Sequence, residues 1–290
     1  MEMNEDTLRH LRAFQKSEIT EHHVYLKLAA KVKSPENRRV LEKIANDELA
    51  HYQTWLKYTQ EEVEYNVLKV WIYYLISRIA GITFGIKLME RGEGEAQDNY
   101  KRLREIIPEI SSVINDEHEH ENALIGMLDE ERLRYIGSIV LGLNDALMEL
   151  TGALAGLTLA LQNTRLIALT GLITGFAAAL SMSASEYLST KSEGNLRNPI
   201  KASIYTGSAY VLTVIVLVLP YLILNNYYIS LGFVLAIAIL IIAFFNYYIS
   251  VARELPFKKH FLEMAGLSLG VAVFSFLMGS IFRSLFGMSL

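Results

Sequence analysis

The stretch Tyr135–Leu161, YIGSIVLGLNDALMELTGALAGLTLAL, constrains this chain more than any other. It exceeds the ~20 apolar residues that a helix needs to cross a bilayer. Yet Asp145 and Glu149 sit in its middle. A carboxylate at the centre of a membrane helix costs roughly 2.5–3.5 kcal/mol on insertion scales, so such acids usually face a partner or a watery path. Asp145 and Glu149 are four apart and share a helical face, among the small residues Gly142, Ala146, Gly152 and Ala153. Small residues admit neighbouring helices closely. Two readings stay open: packing contacts between helices, or acids on a cation path.

The chain changes character after Arg134. Up to that point 19 Lys and Arg stand against 25 Asp and Glu, a net charge of −6; beyond it 8 stand against 6, a net of +2 spread through hydrophobic sequence. Six of the seven histidines, His10, His22, His23, His51, His118 and His120, fall in the first part. Residues 1–134 therefore read as a water-soluble, acidic, ligand-rich domain and 135–290 as a membrane domain. No basic stripe exists, so no nucleic acid is expected as a partner. The absence of cysteine excludes disulfides, Cys-based zinc sites, iron–sulfur clusters and thiol catalysis. The opening MEMNEDTLRH has no apolar core of the kind a signal peptide needs. The first domain is expected to stay on the side where it is made.

Strand signals are absent, and the first domain reads as an all-α four-helix bundle. Helices are expected over 5–33, from Pro35 to about 60, over roughly 64–105, and from Pro108 to about 129. Ser34-Pro35-Glu36 supplies an N-cap followed by proline at the first helical position. Within the third stretch, residues 67–89 are apolar enough to suggest a span, but Lys69, Arg78 and Lys87 point to different faces. A buried, dimer-forming or membrane-surface helix is the preferred reading there.

Two Glu-x-x-His motifs, Glu48–His51 and Glu117–His120, fall on the second and fourth of these helices. A spacing of three puts both side chains on one face, so each helix can offer a carboxylate and an imidazole to one metal pair, with an inward Glu from each remaining helix. Glu18 and Glu93 fit those positions, and each has a tyrosine seven residues later, Tyr25 and Tyr100. Glu90, one turn before Glu93, is an alternative or additional ligand. Glu21, His22, His23, His118, Glu119 and Glu121 read mostly as solvated surface. A site rich in carboxylate with imidazole suits iron or manganese. On these residues, 5–131 resembles a rubrerythrin/ferritin-like domain. The resemblance implies a di-iron centre of Glu18, Glu48, His51, Glu93, Glu117 and His120 that binds Fe(II) and oxidises it with O2 or peroxide. Rubrerythrin's four-cysteine electron-delivery module has no counterpart in this chain.

Beyond Arg134 five spans are expected, over 136–161, 166–188, 202–224, 229–252 and 261–284. With the first domain inside, Arg132, Arg134, Lys191, Arg197, Lys201, Arg253, Lys258 and Lys259 are internal and only Arg165 and Arg283 external. That asymmetry follows the positive-inside rule and places the first domain in the cytosol, with the spans in the cell membrane if the source is prokaryotic. The second span carries SMSASEY, with Met182 and Glu186 four apart. A thioether with carboxylates is a plausible stepping route for Fe(II). Asp145, roughly 13 Å in from the inner end of its span, and Met182, roughly 9 Å in, are at depths that could meet. Glu186 could instead be a boundary acid paired with Lys191.

LGLNDAL in the first span with SMSASEYLSTKSE in the second is similar to the vacuolar iron transporter family. The resemblance covers 135–290 and implies proton-coupled export of Fe(II) or Mn(II) from the cytosol by a homodimer whose path lies between subunits. Asp145, Met182 and Glu186 carry over onto its path; Glu149 is an extra acid. The Glu/Met-rich cytosolic segment that some members place between spans two and three has no room between Lys191 and Lys201. Taken whole, the chain resembles membrane-bound ferritin-type proteins. The competing reading is a membrane-anchored di-iron oxidase or peroxidase without transport.

Overall fold

The computed structural model describes residues 5–91, 107, 109–126, 135–194, 197–253 and 255–286, and every regular element among them is helical. The chain divides into two units, Met1–Glu130 and Glu131–Leu290.

In the first unit, α1 (Glu5–Ala29) and α2 (Pro35–Thr59) form the main helix pair. Ser34 begins α2 as expected: its side chain accepts from the Asn37 N–H, and Pro35 follows where no backbone donor is needed. The pair buries two separate apolar layers. One holds Val24, Tyr25, Leu28, Leu41 and Ile44; the other holds Leu11, Phe14, Trp55, Ile110 and Val113. The latter two come from α5 (Ile110–Gly126). Between the layers the helices place polar side chains, which positions the site described below.

The long third helix is not continuous. It is α3 (Val67–Ala80) and α4 (Ile82–Arg91), separated at Gly81, whose φ of 107° and ψ of 148° lie outside the helical region. Such a backbone is open to glycine and strained for other residues. Helix α4 then returns against α3 so closely that a Cβ at Gly85 would stand 1.9 Å from Ser77 Oγ. This break leaves no continuous apolar helix over 67–89. In the single chain α3 is not buried either: Leu68, Trp71, Ile72 and Leu75 are exposed.

The second unit has five helices long and apolar enough to cross a membrane: α6 (Ile136–Leu161), α7 (Thr164–Ser192), α8 (Pro199–Ile223), α9 (Tyr227–Arg253) and α10 (Phe257–Phe286). Exposed Ile173, Leu180, Leu212, Leu240 and Phe244 give these helices the apolar exterior that lipid requires. The protein is thus an integral membrane protein. Helix α6 is central, packing against α10, α8 and α7. A Cβ at Gly142 would meet the Thr206 carbonyl oxygen at 2.2 Å, so α6 and α8 touch backbone to backbone there. Thr206 Oγ1 donates to the Ser138 carbonyl at 2.9 Å and fixes the same contact.

Candidate metal sites

Between the apolar layers of the first unit, α1 supplies Glu18, α2 supplies Glu48 and His51, and α5 supplies Glu117 and His120. Glu18, Glu48, His51 and His120 are all buried. One ligand atom from each of Glu18, Glu48, His51 and Glu117 lies within 4.8 Å of the others. His51 Nδ1 faces Glu18 Oε2 at 3.3 Å, Glu48 Oε2 at 3.5 Å and Glu117 Oε1 at 3.7 Å. His120 Nδ1 faces the other oxygens of the same two acids, Glu48 Oε1 at 3.4 Å and Glu117 Oε2 at 4.0 Å. Glu48 and Glu117 therefore each present one oxygen to each imidazole.

Both rings are held from behind. His51 Nε2 lies 3.2 Å from Asp116 Oδ2, and His120 Nε2 lies 3.0 Å from Asp47 Oδ2. Each motif thus supplies the acid that orients the other motif's histidine, and a carboxylate on the outer nitrogen turns the inner one toward the centre. Trp55 Nε1 donates to Glu18 Oε1 at 3.0 Å and orients that acid. These three partners were not anticipated from sequence. The signal was present for two of them, because an Asp immediately precedes the Glu in both motifs, Asp47-Glu48 and Asp116-Glu117.

The electrostatics describe a centre balanced by protons. Burial and neighbouring Glu48 hold Glu18 well above the usual carboxylate range. Burial also raises Glu48, but the imidazoles of His120 and His51 beside it outweigh this and bring Glu48 down to about 2. Burial lowers His51, and contact with Glu18 and Glu48 reverses this and lifts it to about 11. His120 is raised in the same sense, against its burial, by Glu48 and Asp47. Glu48 Oε2, His51 Nδ1 and His120 Nδ1 are nevertheless buried without a hydrogen bond. Their separations exceed the roughly 2.7–2.9 Å of a charge-assisted bond, and all three atoms converge on one space. Such a donor set fits divalent cations, with Glu18, Glu48, His51, Glu117 and His120 as holders.

Glu93 lies outside the described residues. So do the side chains of Glu90, whose backbone lies in the last turn of α4, and of His118 and Glu121. Glu21 and His22 are not surface residues: both are buried, with Ser17 Oγ donating to Glu21 at 3.0 Å and His22 Nδ1 2.6 Å from the Ala45 carbonyl. Helix α2 covers His22, whereas Glu21 lines a cavity with Asn66, Tyr73 and Met89. The His23 ring lies tilted against Tyr65, its centroid 3.9 Å away, and Glu119 is exposed beside Lys43.

In the second unit the acids do not form one cage. Asp145 is half-buried and Glu149, one turn on, is exposed. Tyr210 of α8 donates to Glu149 Oε2 at 2.8 Å. Glu186 of α7 is buried and accepts from Ser138 Oγ at 2.6 Å. Lys191 lies 5.6 Å from the centre of the Tyr187 ring, and no ion pair with Glu186 forms among the described residues. Met182 is partly buried against the apolar core. No hydrogen bond joins Asp145 or Met182 to Glu186 among the described residues. Asn144 Oδ1, beside Asp145, is buried without a donor.

The span carrying these residues decides the comparison with known proteins. Residues 136–198 match the VIT family. The matched segment covers α6, α7 and the join to α8, and so contains Asp145, Glu149, Met182 and Glu186. A VIT family domain among five apolar helices suggests a membrane transporter of metal, iron or manganese. No curated protein matches the chain, and no solved structure matches it.

Proposed function

We propose that this protein exports Fe(II), and Mn(II) where that is the available ion, from the cytosol in exchange for protons. Its first domain, ferritin-like, binds a metal pair and collects or oxidises iron. The observation that carries the transport reading is Glu149: an exposed carboxylate halfway along an apolar helix, within the segment matching the VIT family. A span that only anchored an enzyme would gain nothing from such an acid and would bear its desolvation cost.

A divalent cation leaving water must replace its hydration with charged or coordinating groups. Asp145, Glu149, Met182 and Glu186 offer carboxylates and a thioether at successive depths. Exposure of Glu149 in one chain favours a homodimer in which a second copy faces it and shields the path from lipid. The charge asymmetry of the loops supports a cytosolic first domain.

In that domain Glu48 and Glu117 are the proposed bridging ligands, with His51 on one side and His120 on the other. Glu18 serves the His51 side, and Glu93, or Glu90, is the remaining proposed ligand. A bound iron pair would supply two electrons to O2 or peroxide. The chain's own groups orient the centre through Asp47, Asp116 and Trp55, and the two apolar layers exclude water from it.

Sealed vesicles containing the purified full chain test the transport reading. Anaerobic Fe(II) should accumulate inside and the accumulation should respond to a proton gradient. Vesicles with and without the protein that take up Fe(II) equally would return the chain to an anchored di-iron oxidase.

A further inference from the structure

We infer that Tyr210 is a positioning residue of the metal path, which holds the Glu149 carboxylate in a fixed orientation for the passing cation; this rests on the transport reading of Glu149. The phenol is fully buried, while the acid it reaches is exposed. Its 2.8 Å bond to Glu149 Oε2 is the one hydrogen bond to that carboxylate among the described residues. A glutamate on an exposed helix face ordinarily samples several rotamers, and each lost rotamer costs free energy when a ligand must select one. Here that selection is made before the ion arrives.

The support behind Tyr210 is rigid. One turn earlier on α8, Thr206 meets Gly142 backbone to backbone and bonds to the Ser138 carbonyl. The Tyr210 ring belongs to the same apolar cluster as Ala146, Leu150 and Val214, so neither helix can turn without repacking it. A side chain locked by packing and aimed at a ligand group is what a precise site requires. The hydroxyl takes one oxygen of the acid and leaves Oε1 for a cation.

Tyr210→Phe removes the hydroxyl and keeps the ring. In sealed vesicles with anaerobic Fe(II), it should raise the half-saturating concentration about tenfold, the loss expected for one hydrogen bond to a charged group. The maximal rate should change less than about twofold, because the ring's packing and the other path groups are retained. Glu149→Gln should raise the same concentration, and the double variant should be no worse than Glu149→Gln alone. Tyr210→His, which keeps a donor, should restore part of the affinity if Tyr210→Phe folds poorly. An effect of Glu149→Gln with none of Tyr210→Phe would overturn the role of Tyr210 and leave the transport reading standing. Fully additive losses in the double variant would overturn it too. Wild-type vesicles that take up Fe(II) no faster than protein-free ones would remove the transport reading itself.

Discussion

The two acid-rich regions differ in closure. In the first unit Glu18, Glu48, His51 and His120 are buried, five candidate ligand side chains converge, and the outer nitrogen of each histidine is backed by an aspartate. In the second, Asp145 is half-buried, Glu149 exposed and Glu186 bonded to Ser138, with the acids spread along two helices. Many convergent ligands make a deep well from which an ion leaves slowly. Single carboxylates at successive depths make shallow wells that an ion can enter and leave, as conduction requires. The difference suits holding and oxidising metal in one region and passing it in the other.

The largest expected effect is at Glu48. Glu48→Ala removes the acid that faces both histidines, and the full-length protein should lose at least one of its two proposed ions by elemental analysis. Retention of both would break the claim that the closed centre depends on bridging carboxylates. Gly142→Val should follow: a side chain at a position where even Cβ meets Thr206 backbone must part α6 from α8. A loss of about 1–3 kcal/mol is expected from such overpacking, read as a lower melting temperature in detergent. Metal content of the first unit should be unchanged, which sharpens the separation of the two regions.

Asp47→Ala with Asp116→Ala should weaken metal binding about 10–100-fold by freeing both imidazoles, without abolishing it. Protons add a further contrast. His51, lifted to about 11, holds its proton at neutral pH, and His120 and Glu18 are raised in the same direction. Cations must displace those protons, so apparent affinity should strengthen as pH rises through neutrality toward the His51 value. Titration calorimetry in buffers of different ionisation enthalpy should read net proton release on metal binding. Affinity that falls with rising pH would contradict the assigned protonation. The smallest effect is the control: Ser34→Ala removes the cap of α2 and should cost about 1 kcal/mol of stability while leaving metal affinity as it was.

Much of this was legible in the sequence because it depends on local spacing. The Glu-x-x-His pairs put their side chains on one face of a regular helix, and the five apolar runs exceed a bilayer's thickness. Other features depend on relations that spacing does not carry. Gly81 breaks the third helix through a backbone conformation, and nothing in the apolar run around it announces that angle. Tyr210 reads as one more apolar residue of its span until α8 is laid against α6. The burial of His22 follows from how α2 crosses α1 and that of Glu21 from the approach of α3 and α4, whereas one helix's pattern shows only which side each residue occupies. The Asp preceding each Glu was visible, but its partner is the histidine of the other motif. Only the pairing of α2 with α5 reveals that exchange.

The most direct measurement compares two variants of the full chain in one preparation of sealed vesicles, scoring Fe(II) flux and tightly bound metal together. Asp145→Asn keeps the size of the side chain and removes the charge that compensates a cation at depth. It is expected to stop flux while the first unit keeps its metal, and Glu48→Ala is expected to strip that metal while flux persists. Wild-type flux from Asp145→Asn would contradict the account and take Asp145 off the cation path.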